Sequence, residues 1–394
     1  MSRLWDKGSA LDAKVLAYTA GEDHALDNRL VAYDVQASIA HGQALCAAGL
    51  LSVEDLTALS NTLTDIGQAH ARGEWSVSLE EEDGQTALEQ RLTAALGDAG
   101  GRIHLGRSRN DQVLAALRLY LADVVQQIHD RIVETVEALE SLVREQGSVS
   151  LPGYTHMQQA MPSSVALWAE GYATELRDDA LGLMRTRQRH SKNPLGSAAG
   201  YGTPGLNLDR EFTTARLGFD STHEPVTAVQ LSRGKAEAQV LFELSVLMSD
   251  LSRLAADVLL FYTQEFAFVQ LPEAFTTGSS IMPQKRNPDV FELIRGRSAT
   301  LCACLNEVMG IANKLPSGYQ RDLQLIKSPL FRGIDVAMQT LSIMPDAIHG
   351  LRFLPENIHL DPAIHAAEEA NRLVVTLGIP FREAYRRVAK RLSQ

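Results

Sequence analysis

The sequence predicts an all-α protein, with a long central helical bundle and a smaller helical domain at each end. Apolar residues recur at spacings of three and four over several long stretches, which is typical of amphipathic helices. The alternating pattern of a half-buried strand is weak throughout the 394 residues. Connectors rich in Gly and Pro separate most of the helical stretches. These observations predict an N-terminal helical domain at 1–108, the bundle at 109–350 and a small C-terminal helical domain at 351–394.

Short helices separated by turns account for the N-terminal domain. An amphipathic stretch, LDNRLVAYDVQASIAHGQALCAAGLLS, ends near Gly49. The next helix has Ser52 as its predicted N-cap, with Asp55 three residues later and Gly73 as its end.

The bundle begins with an unusually long helix. Its apolar spacing continues for roughly ten turns, or roughly 50 Å. The residues that form this apolar stripe are Leu114, Leu117, Leu121, Val124, Ile128, Ile132, Val136, Leu139 and Leu142. Further helices are predicted at 163–190, 232–268, 288–314 and 319–349, and a short helix pair is predicted around Gly378–Pro380.

Charge and composition narrow the classes of function. The net charge of -11 argues against non-specific binding to nucleic acid or to an anionic membrane surface. The N-terminus lacks the apolar region of a signal peptide, and no apolar run reaches transmembrane length. Three cysteines build no disulfide framework, which predicts a cytoplasmic location. Cys302 and Cys304 are predicted to be small core residues rather than metal ligands.

Three polar connectors are the candidate sites of chemistry. They are HLGRSRNDQ at 104–112, LPGYTHMQQAMPSS at 151–164 and TTGSSIMPQKRNPD at 276–289. Each connector leads into a predicted helix, and a helix N-terminus offers unpaired N–H groups and a positive dipole end.

Capping residues and cations strengthen the case for these connectors. Ser108 or Asn110 can cap the first long helix, and Asn287 can cap the helix that starts at Pro288. The connectors also carry four cations, which are Arg107, Arg109, Lys285 and Arg286. Together these features predict a site for a small anion such as a carboxylate.

The connectors resemble a known family. GSSIMPQKRNP resembles the signature of the fumarase/aspartase superfamily, whose members release fumarate from a substituted succinate. GRSRNDQ, GYTHMQQAMP, MPQKRNPD and YQRDLQLIK together resemble its argininosuccinate lyase branch, which includes the non-enzymatic δ-crystallins. Gln284 is typical of this branch, because fumarases and aspartases usually carry Gly there. The resemblance runs from Leu4–Trp5 to GIPFREAY. It implies β-elimination of fumarate from argininosuccinate, in arginine biosynthesis.

The resemblance also implies roles for individual residues. Ser279 is implied as the base, Lys285 and Asn287 as the groups that stabilise the charged intermediate, and His156 as the acid, held by Glu292. The implied substrate-binding residues have polar or cationic side chains and are Arg109, Asn110, Thr155, Ser108, Tyr319, Gln324 and Lys327. The implied partner is a small dicarboxylate amino acid, and no metal or organic cofactor is needed.

The sequence departs from the family at several positions. Gln85 takes the place of a His, Leu325–Ile326 replace an acidic pair, and Asp23 stands where a substrate-contacting Ser is common. The C-terminal segment is short for the family, which predicts that its last helices are missing. Two alternatives stay open. One is another fumarate-releasing lyase, of adenylosuccinate or aspartate type, and the other is a non-catalytic crystallin-like protein.

The connector positions predict an oligomer. Helices that start near Asn110 and Ser163 are joined by a short connector and should run antiparallel, which would separate their N-termini by about 40–50 Å. Yet GRSRNDQ and GYTHMQ must meet at one substrate if both serve one site. We therefore expect a homotetramer around a central bundle of long helices, with each active site assembled from more than one subunit. The resemblance implies three subunits per site.

Overall fold

The computed structural model describes residues 12–393, and most of these residues are helical. The predicted all-α class is therefore confirmed. Leu4–Trp5, where the resemblance begins, lie outside the described residues. In chain order the α-helices are α1 (Ala13–Ala20), α2 (Asp23–Leu26), α3 (Val31–Ala47), α4 (Val53–Ala71), α5 (Gly84–Leu96), α6 (Asp98–Gly101), α7 (Arg109–Gln146), α8 (Val165–His190), α9 (Arg210–Leu217), α10 (Val226–Leu231), α11 (Lys235–Tyr262), α12 (Asp289–Ala312), α13 (Lys327–His349), α14 (Ala366–Leu377) and α15 (Phe381–Leu392).

The long helix α7 forms because its apolar residues follow one face of the helix. Every residue of the predicted stripe, from Leu114 to Leu142, is buried. Burial of that stripe against neighbouring elements stabilises a helix of 38 residues, since helices of this length draw most of their stability from packing rather than from propensity.

Side-chain caps start the helices in two of the three predicted places. The Ser52 hydroxyl accepts a hydrogen bond from the Asp55 N–H at 3.0 Å, as predicted for α4. At the start of α7, the Ser108 hydroxyl accepts from the Asn110 N–H at 3.3 Å. The Asp111 carboxylate accepts from the Ser108 N–H at 2.9 Å, which completes a reciprocal cap.

The predicted cap at the start of α12 is wrong. The helix begins at Asp289, one residue later than predicted. Asn287 does not accept from the first turn, and its side-chain amide instead donates to the Gly278 carbonyl at 3.3 Å. Its backbone is occupied in pairing with Thr277, so its side chain is directed toward the preceding loop.

Short strands occur between the helices, and one pair corrects a prediction. β1 (Ser150–Thr155) and β2 (Gln158–Ser164) form an antiparallel hairpin where the sequence predicted a polar loop. Pro152 and Pro162 face each other in this hairpin. A two-stranded sheet has only edge strands, so it tolerates prolines that would argue against a central strand. Two smaller pairs join β3 (Lys192–Asn193) to β4 (Ser221–Thr222) and β5 (Val269–Gln270) to β6 (Arg352–Phe353).

Contacts group the described residues into two compact units. The first contains the described residues up to His129, together with Gly182–Ser245 and Thr300–Asp335. The second contains Asp130–Leu181, Val246–Ala299 and the described residues from Val336 onward. The division at residues 108 and 350 stays a prediction.

Each unit has its own apolar cluster of helices. In the first unit, α3, α4 and α5 pack around Leu45, Leu59 and Leu88. In the second unit, α14 and α15 pack around Ala370, Ala384 and Val388. Gly378 ends α14 in a left-handed conformation, so the helix pair predicted around Gly378–Pro380 is confirmed.

The cysteines only partly match their prediction. Cys304 is buried, as expected of a small core residue, but Cys302 is exposed. Within residues 12–393 no group of three or more His, Cys, Asp or Glu side chains could hold a metal ion. No helix in that part of the chain is long and apolar enough to cross a membrane.

Candidate active site

The predicted site residues fall into two groups, one in each unit. Ser108, Arg109, Asn110, Tyr319, Gln324 and Lys327 lie in the first unit. Thr155, His156, Ser279, Lys285, Asn287 and Glu292 lie in the second unit.

Five of the first six residues line one cavity, which we call the binding pocket. Its polar lining residues are Asp23, Glu82, Asp83, Gln85, Arg109, Asn110, Arg233, Tyr319, Arg321, Gln324 and Lys327. Ser108 is not in the lining and serves as the helix cap instead. Because the pocket combines cations with carboxylates, it suits a ligand that carries charges of both signs.

Lys327 is the most deeply buried charge of the binding pocket. Its side chain is 3% exposed, and its Nζ lies 2.5 Å from Asp27 Oδ1 and 2.9 Å from Asp23 Oδ1. Asp27 is held in turn by the Gly84 N–H at 2.9 Å. Burial alone would lower the pKa of Lys327, but the charges of Asp27 and Asp23 outweigh that effect and raise it. The ammonium therefore stays charged inside the fold.

Asp23 shares that single cation with Asp27. Burial raises the pKa of Asp23 to about 6, although the neighbouring Lys327 charge acts in the opposite direction. One ammonium neutralises only one of two carboxylates, so the group retains a net negative charge when both are ionised. A cationic part of a ligand could compensate that charge.

Arg109 is held in place at the start of α7. Its guanidinium donates to Asp83 Oδ2 at 2.5 Å and lies 3.7 Å from Glu82 Oε2. Asp83 also caps α5 by accepting from the Thr86 N–H at 2.8 Å. These contacts fix the direction of the Arg109 side chain before any ligand binds.

The residues from 319 to 324 form another wall of the binding pocket. The Gln324 side chain donates to the Thr19 carbonyl at 2.8 Å and accepts from Arg321 Nε at 3.1 Å. The Tyr319 ring lies below the Arg233 guanidinium, with 5.7 Å between Cζ and the ring centroid. Leu325, one of the departures from the family, is 57% exposed, so it is not part of this buried wall.

Gln85, another departure from the family, belongs to a buried polar network. Its side-chain amide donates to Asp34 Oδ2 at 3.0 Å, and Gln112 donates to Asp34 Oδ1 at 2.8 Å. Burial raises the pKa of Asp34 to about 6, while the Arg107 charge and the two glutamines partly oppose this rise. Gln85 thus supplies a neutral donor where a His could gain a charge.

The second group centres on residues 276–288, which we call the serine loop. Backbone hydrogen bonds close its base, from the Thr277 N–H to the Asn287 carbonyl at 3.0 Å and from the Asn287 N–H to the Thr277 carbonyl at 2.8 Å. The Thr277 hydroxyl also donates to Asp289 in the first turn of α12. The loop is therefore anchored at its base, while Ile281 near its tip is 82% exposed.

The Ser279 hydroxyl is surrounded by amide donors. Its Oγ accepts from the Met282 N–H at 3.2 Å and from the Ile281 N–H at 3.4 Å. Both contacts are at the long end of the hydrogen-bond range. Backbone donors directed at an oxygen stabilise negative charge that develops on it.

Three of the predicted catalytic residues line a second cavity, next to the serine loop. Lys285, Asn287 and Glu292 contribute to its wall, and Met157 does so as well. Lys285 and Glu292 are exposed, and Glu292 lies in the first turn of α12. Ser279 and His156 are not in the lining of this cavity.

His156 lies at the tip of the β1–β2 hairpin. His156 and Met157 form its two-residue turn, with φ values of 50° and 62°. Positive φ at both central residues is the pattern of a type I′ turn, which normally carries Asn and Gly. Both side chains are exposed, so the turn presents an imidazole to solvent. The positive φ values strain the backbone at these two residues.

One predicted contact is absent from the single chain. Among the described residues, no hydrogen bond or ion pair joins His156 to Glu292. Thr155 is the last residue of β1, belongs to the second unit and is not among the residues that line the binding pocket. The role of Glu292 in holding His156 stays a prediction.

Sequence reasoning missed several residues of the binding pocket. Asp27 holds Lys327, and Arg233 and Arg321 contribute further cations. None of these lies in a connector that stands out by composition. Arg321 lies within the motif YQRDLQLIK but was given no role there, and only the spatial neighbours of Lys327 and Tyr319 reveal Asp27 and Arg233.

Sequence comparison places the chain among known lyases. The profile of the family described as Lyase matches residues 12–302. An argininosuccinate lyase from Sorangium cellulosum (strain So ce56) is 45% identical over 393 residues, which is 99% of this chain and 91% of that protein. One from Stenotrophomonas maltophilia (strain R551-3) is 41% identical over 389 residues, with 98% and 90% coverage.

Structural comparison gives the same fold. An EDDS lyase in complex with formate matches with a TM-score of 0.82 and 25% identity, over 97% of this chain and 76% of that one. A class II fumarase from Schistosoma mansoni matches with a TM-score of 0.79 and 17% identity, over 96% of this chain and 89% of that one. At that identity the fumarase shows the fold alone.

The helical fold and the family match over most of the chain together define the class of protein as a lyase. Within that class, two relatives above 40% identity cover nearly the whole sequence. The chain belongs to the argininosuccinate lyase family.

Proposed function

We propose that this chain cleaves argininosuccinate to arginine and fumarate. The relatives of 45% and 41% identity carry that name over nearly the full length of the chain. The observation that supports the chemistry most directly is the Ser279 hydroxyl, held by two backbone N–H groups in a loop closed by Thr277 and Asn287. We place the reaction in arginine biosynthesis and in the cytoplasm.

The reaction is a β-elimination that needs a base and an acid. Ser279 Oγ takes a proton from the succinyl carbon next to a carboxylate, and the electron pair left behind forms the carbon–carbon double bond of fumarate. The carbon–nitrogen bond breaks, and the nitrogen of the departing arginine receives a proton from His156. Ser279 then holds one extra proton and His156 lacks one, and exchange with solvent restores both before the next turnover, so the overall reaction needs no other reactant.

The hard step is the formation of a carbanion beside a carboxylate. Extra negative charge then develops on the carboxylate oxygens, and fixed positive groups lower its energy. Lys285 and Asn287 belong to the serine loop, and the N-terminus of α12 follows it directly, so all three supply such groups. A closed and dry loop strengthens each of these interactions.

The binding pocket holds the rest of the substrate. Arg109, Asn110, Tyr319, Gln324 and Lys327 line it, and their side chains suit carboxylates and an amino-acid head group. Thr155 and Ser108 complete the proposed set of substrate contacts. Glu292 holds His156 in the assembled site.

We further propose that each site is shared between subunits of a homotetramer. Arg109 is the first residue of α7, and His156 lies ten residues beyond its last residue, Gln146. A helix of 38 residues is about 57 Å long. Ten extended residues return at most about 36 Å, which leaves at least about 20 Å between the two residues of one chain. A second copy of the chain removes this separation.

A panel of succinyl compounds tests the proposed activity. The chain is incubated separately with argininosuccinate, adenylosuccinate, aspartate and an aminopolycarboxylate, and fumarate is followed by its ultraviolet absorbance. We expect fumarate from argininosuccinate alone. Fumarate from a different compound would indicate another lyase of the superfamily. No fumarate from any compound would indicate a non-catalytic, crystallin-like protein.

A further inference from the structure

Arg233 is a buried cation of the binding pocket to which neither the sequence motifs nor the proposed function assigns a role. It lies between α10 and α11, where Gly234 has a φ of +80° that lets the chain turn sharply. Arg233 is 6% exposed and lines the binding pocket beside Tyr319. Its burial is therefore combined with direct access to the space where a ligand would sit.

The hydrogen-bonding capacity of Arg233 is mostly unused. Its NH2 group donates to the Leu323 carbonyl at 3.5 Å, which is a weak contact. In the described part of the chain, its Nε and NH1 atoms are buried and have no hydrogen-bond partner. No carboxylate among those residues lies within ion-pair distance of it.

A buried arginine whose donors lack partners destabilises the fold unless a ligand accepts its hydrogen bonds. Buried charges are normally paired, and a buried donor without a partner destabilises the fold. The guanidinium matches a carboxylate in geometry and charge better than any other side chain does. A carboxylate in the binding pocket would therefore satisfy donors that the fold leaves open.

The opposite charge is available in the same pocket. Asp23 and Asp27 share one ammonium, that of Lys327, so this group carries an excess of negative charge. Arg109, by contrast, already has Asp83 as a partner. Among the described lining residues, Arg321 also lacks a carboxylate partner, but it donates to Gln324 and to the Thr19 carbonyl. Arg233 is thus the buried cation whose donors are open, and the excess negative charge lies at Asp23 and its neighbour Asp27.

We propose that Arg233 binds the α-carboxylate of the amino-acid head group of the substrate, while Asp23 faces its α-ammonium. This inference rests on the proposed function. A zwitterionic head group supplies one charge of each sign, as the binding pocket requires. The succinyl end carries only carboxylates, and the negative charge at Asp23 would repel it.

The test compares two ligands that differ only in this carboxylate. L-arginine is the product, and agmatine is arginine without its α-carboxylate. Their dissociation constants are measured by calorimetry for the unmodified protein, for Arg233→Met and for Arg233→Lys. Arg253→Met is the control, because Arg253 is a surface arginine whose side chain is 74% exposed.

We expect the unmodified protein to bind arginine more tightly than agmatine. Arg233→Met should weaken arginine binding by about 10- to 100-fold, which is typical of losing a charged hydrogen bond, and leave agmatine binding unchanged. Arg233→Lys should lie between the two, and Arg253→Met should match the unmodified protein. Unchanged agmatine binding also shows that the pocket of the variant is intact.

Two results would overturn the inference. One is equal weakening of both ligands by Arg233→Met, which would mean a purely structural role. The other is equal affinity of the unmodified protein for arginine and agmatine. This measurement needs no variant, so it tests the inference even if Arg233→Met fails to fold. Failure of the proposed function is distinct from both, because the unmodified protein would then release no fumarate and bind no arginine.

Discussion

The binding pocket and the serine loop hold their charges in opposite ways. In the binding pocket, Lys327 is 3% exposed and is paired with two carboxylates. In the serine loop, Lys285 is exposed, and Ser279 is held only by backbone N–H groups of its own loop. The charges of the binding pocket are thus buried within the first unit, whereas the serine loop of the second unit is closed at its base by a short pair of backbone hydrogen bonds.

This difference separates stability from chemistry. Removing a buried, paired charge leaves its partners buried without a counter-charge, and this destabilises the fold. Removing an exposed group changes stability little. Substitutions in the binding pocket should therefore affect both folding and binding, and substitutions in the serine loop should affect turnover alone.

The largest effect is expected for Ser279→Ala. Without the base, the turnover number should fall by about 10⁴-fold or more, because the nucleophile or base of a catalytic set is rarely replaced by its neighbours. Stability in urea should change by less than about 0.5 kcal/mol. The matched control is Ser280→Ala, the adjacent exposed serine, which should keep its activity. The opposite pattern would place the base at Ser280.

Two lysines give the next largest contrast. Lys327→Met leaves Asp23 and Asp27 without a cation and should lower the free energy of unfolding by about 3–5 kcal/mol. Lys285→Met removes an exposed charge and should change that free energy by less than about 0.5 kcal/mol, while still abolishing turnover. Urea unfolding and fumarate release measure the two properties. Equal destabilisation by both substitutions would contradict the comparison.

The pH dependence of stability should also originate in the buried part of the first unit. Burial, aided by the Arg107 charge, lowers the pKa of His41 to about 3. The folded state then keeps His41 neutral, while the unfolded chain takes up a proton below about pH 6.5. Its contribution to stability is complete above that pH and is lost on acidification, by about 1.4 kcal/mol per pH unit.

His41→Gln should remove this loss. The free energy of unfolding, measured at several pH values between about 4.5 and 7, should fall less steeply on acidification in this variant than in the unmodified protein. His365→Gln replaces an exposed histidine of the second unit and should retain the original slope. An unchanged slope in His41→Gln would mean that other groups cause the acid sensitivity.

The smallest effect concerns the hairpin that carries His156. Met157 has a φ of 62°, and Gly adopts that conformation without steric penalty, so Met157→Gly should stabilise the protein by about 0.5 kcal/mol. Met161→Gly, in the extended strand β2, should instead destabilise it by about 0.5–1 kcal/mol. Thermal unfolding of both variants measures whether each substitution raises or lowers the stability. Destabilisation by Met157→Gly would show that the Met157 side chain contributes packing.

Local patterns predicted the helices well, because period and capping are properties of neighbouring residues. The buried stripe of α7 and the Ser52 cap follow directly from the sequence. The hairpin did not, since its prolines and its His156–Met157 turn lack the usual strand and turn signals. For the same reason the cap of α12 was misplaced, because Asn287 is engaged by Thr277 across the serine loop.

The candidate site was predictable only in part. The motifs identified Lys327 and Ser279 through a family resemblance, but they could not give the partners of Lys327. Asp27 is 300 positions away in sequence, and no local pattern links the two residues. Arg233 was missed because its distinguishing property is a set of buried donors without partners, and that property is visible only in the folded structure.

The sharing of sites between subunits is the central claim, and mixing two inactive variants tests it most directly. Ser279→Ala and His156→Asn are combined after partial denaturation, with Asn chosen because it tolerates the positive φ at position 156. Random exchange should give about a quarter of the sites both intact residues, so about a quarter of the activity should return. No recovery, with subunit exchange demonstrated by mass labels, would contradict the account and place both residues of a site in one chain.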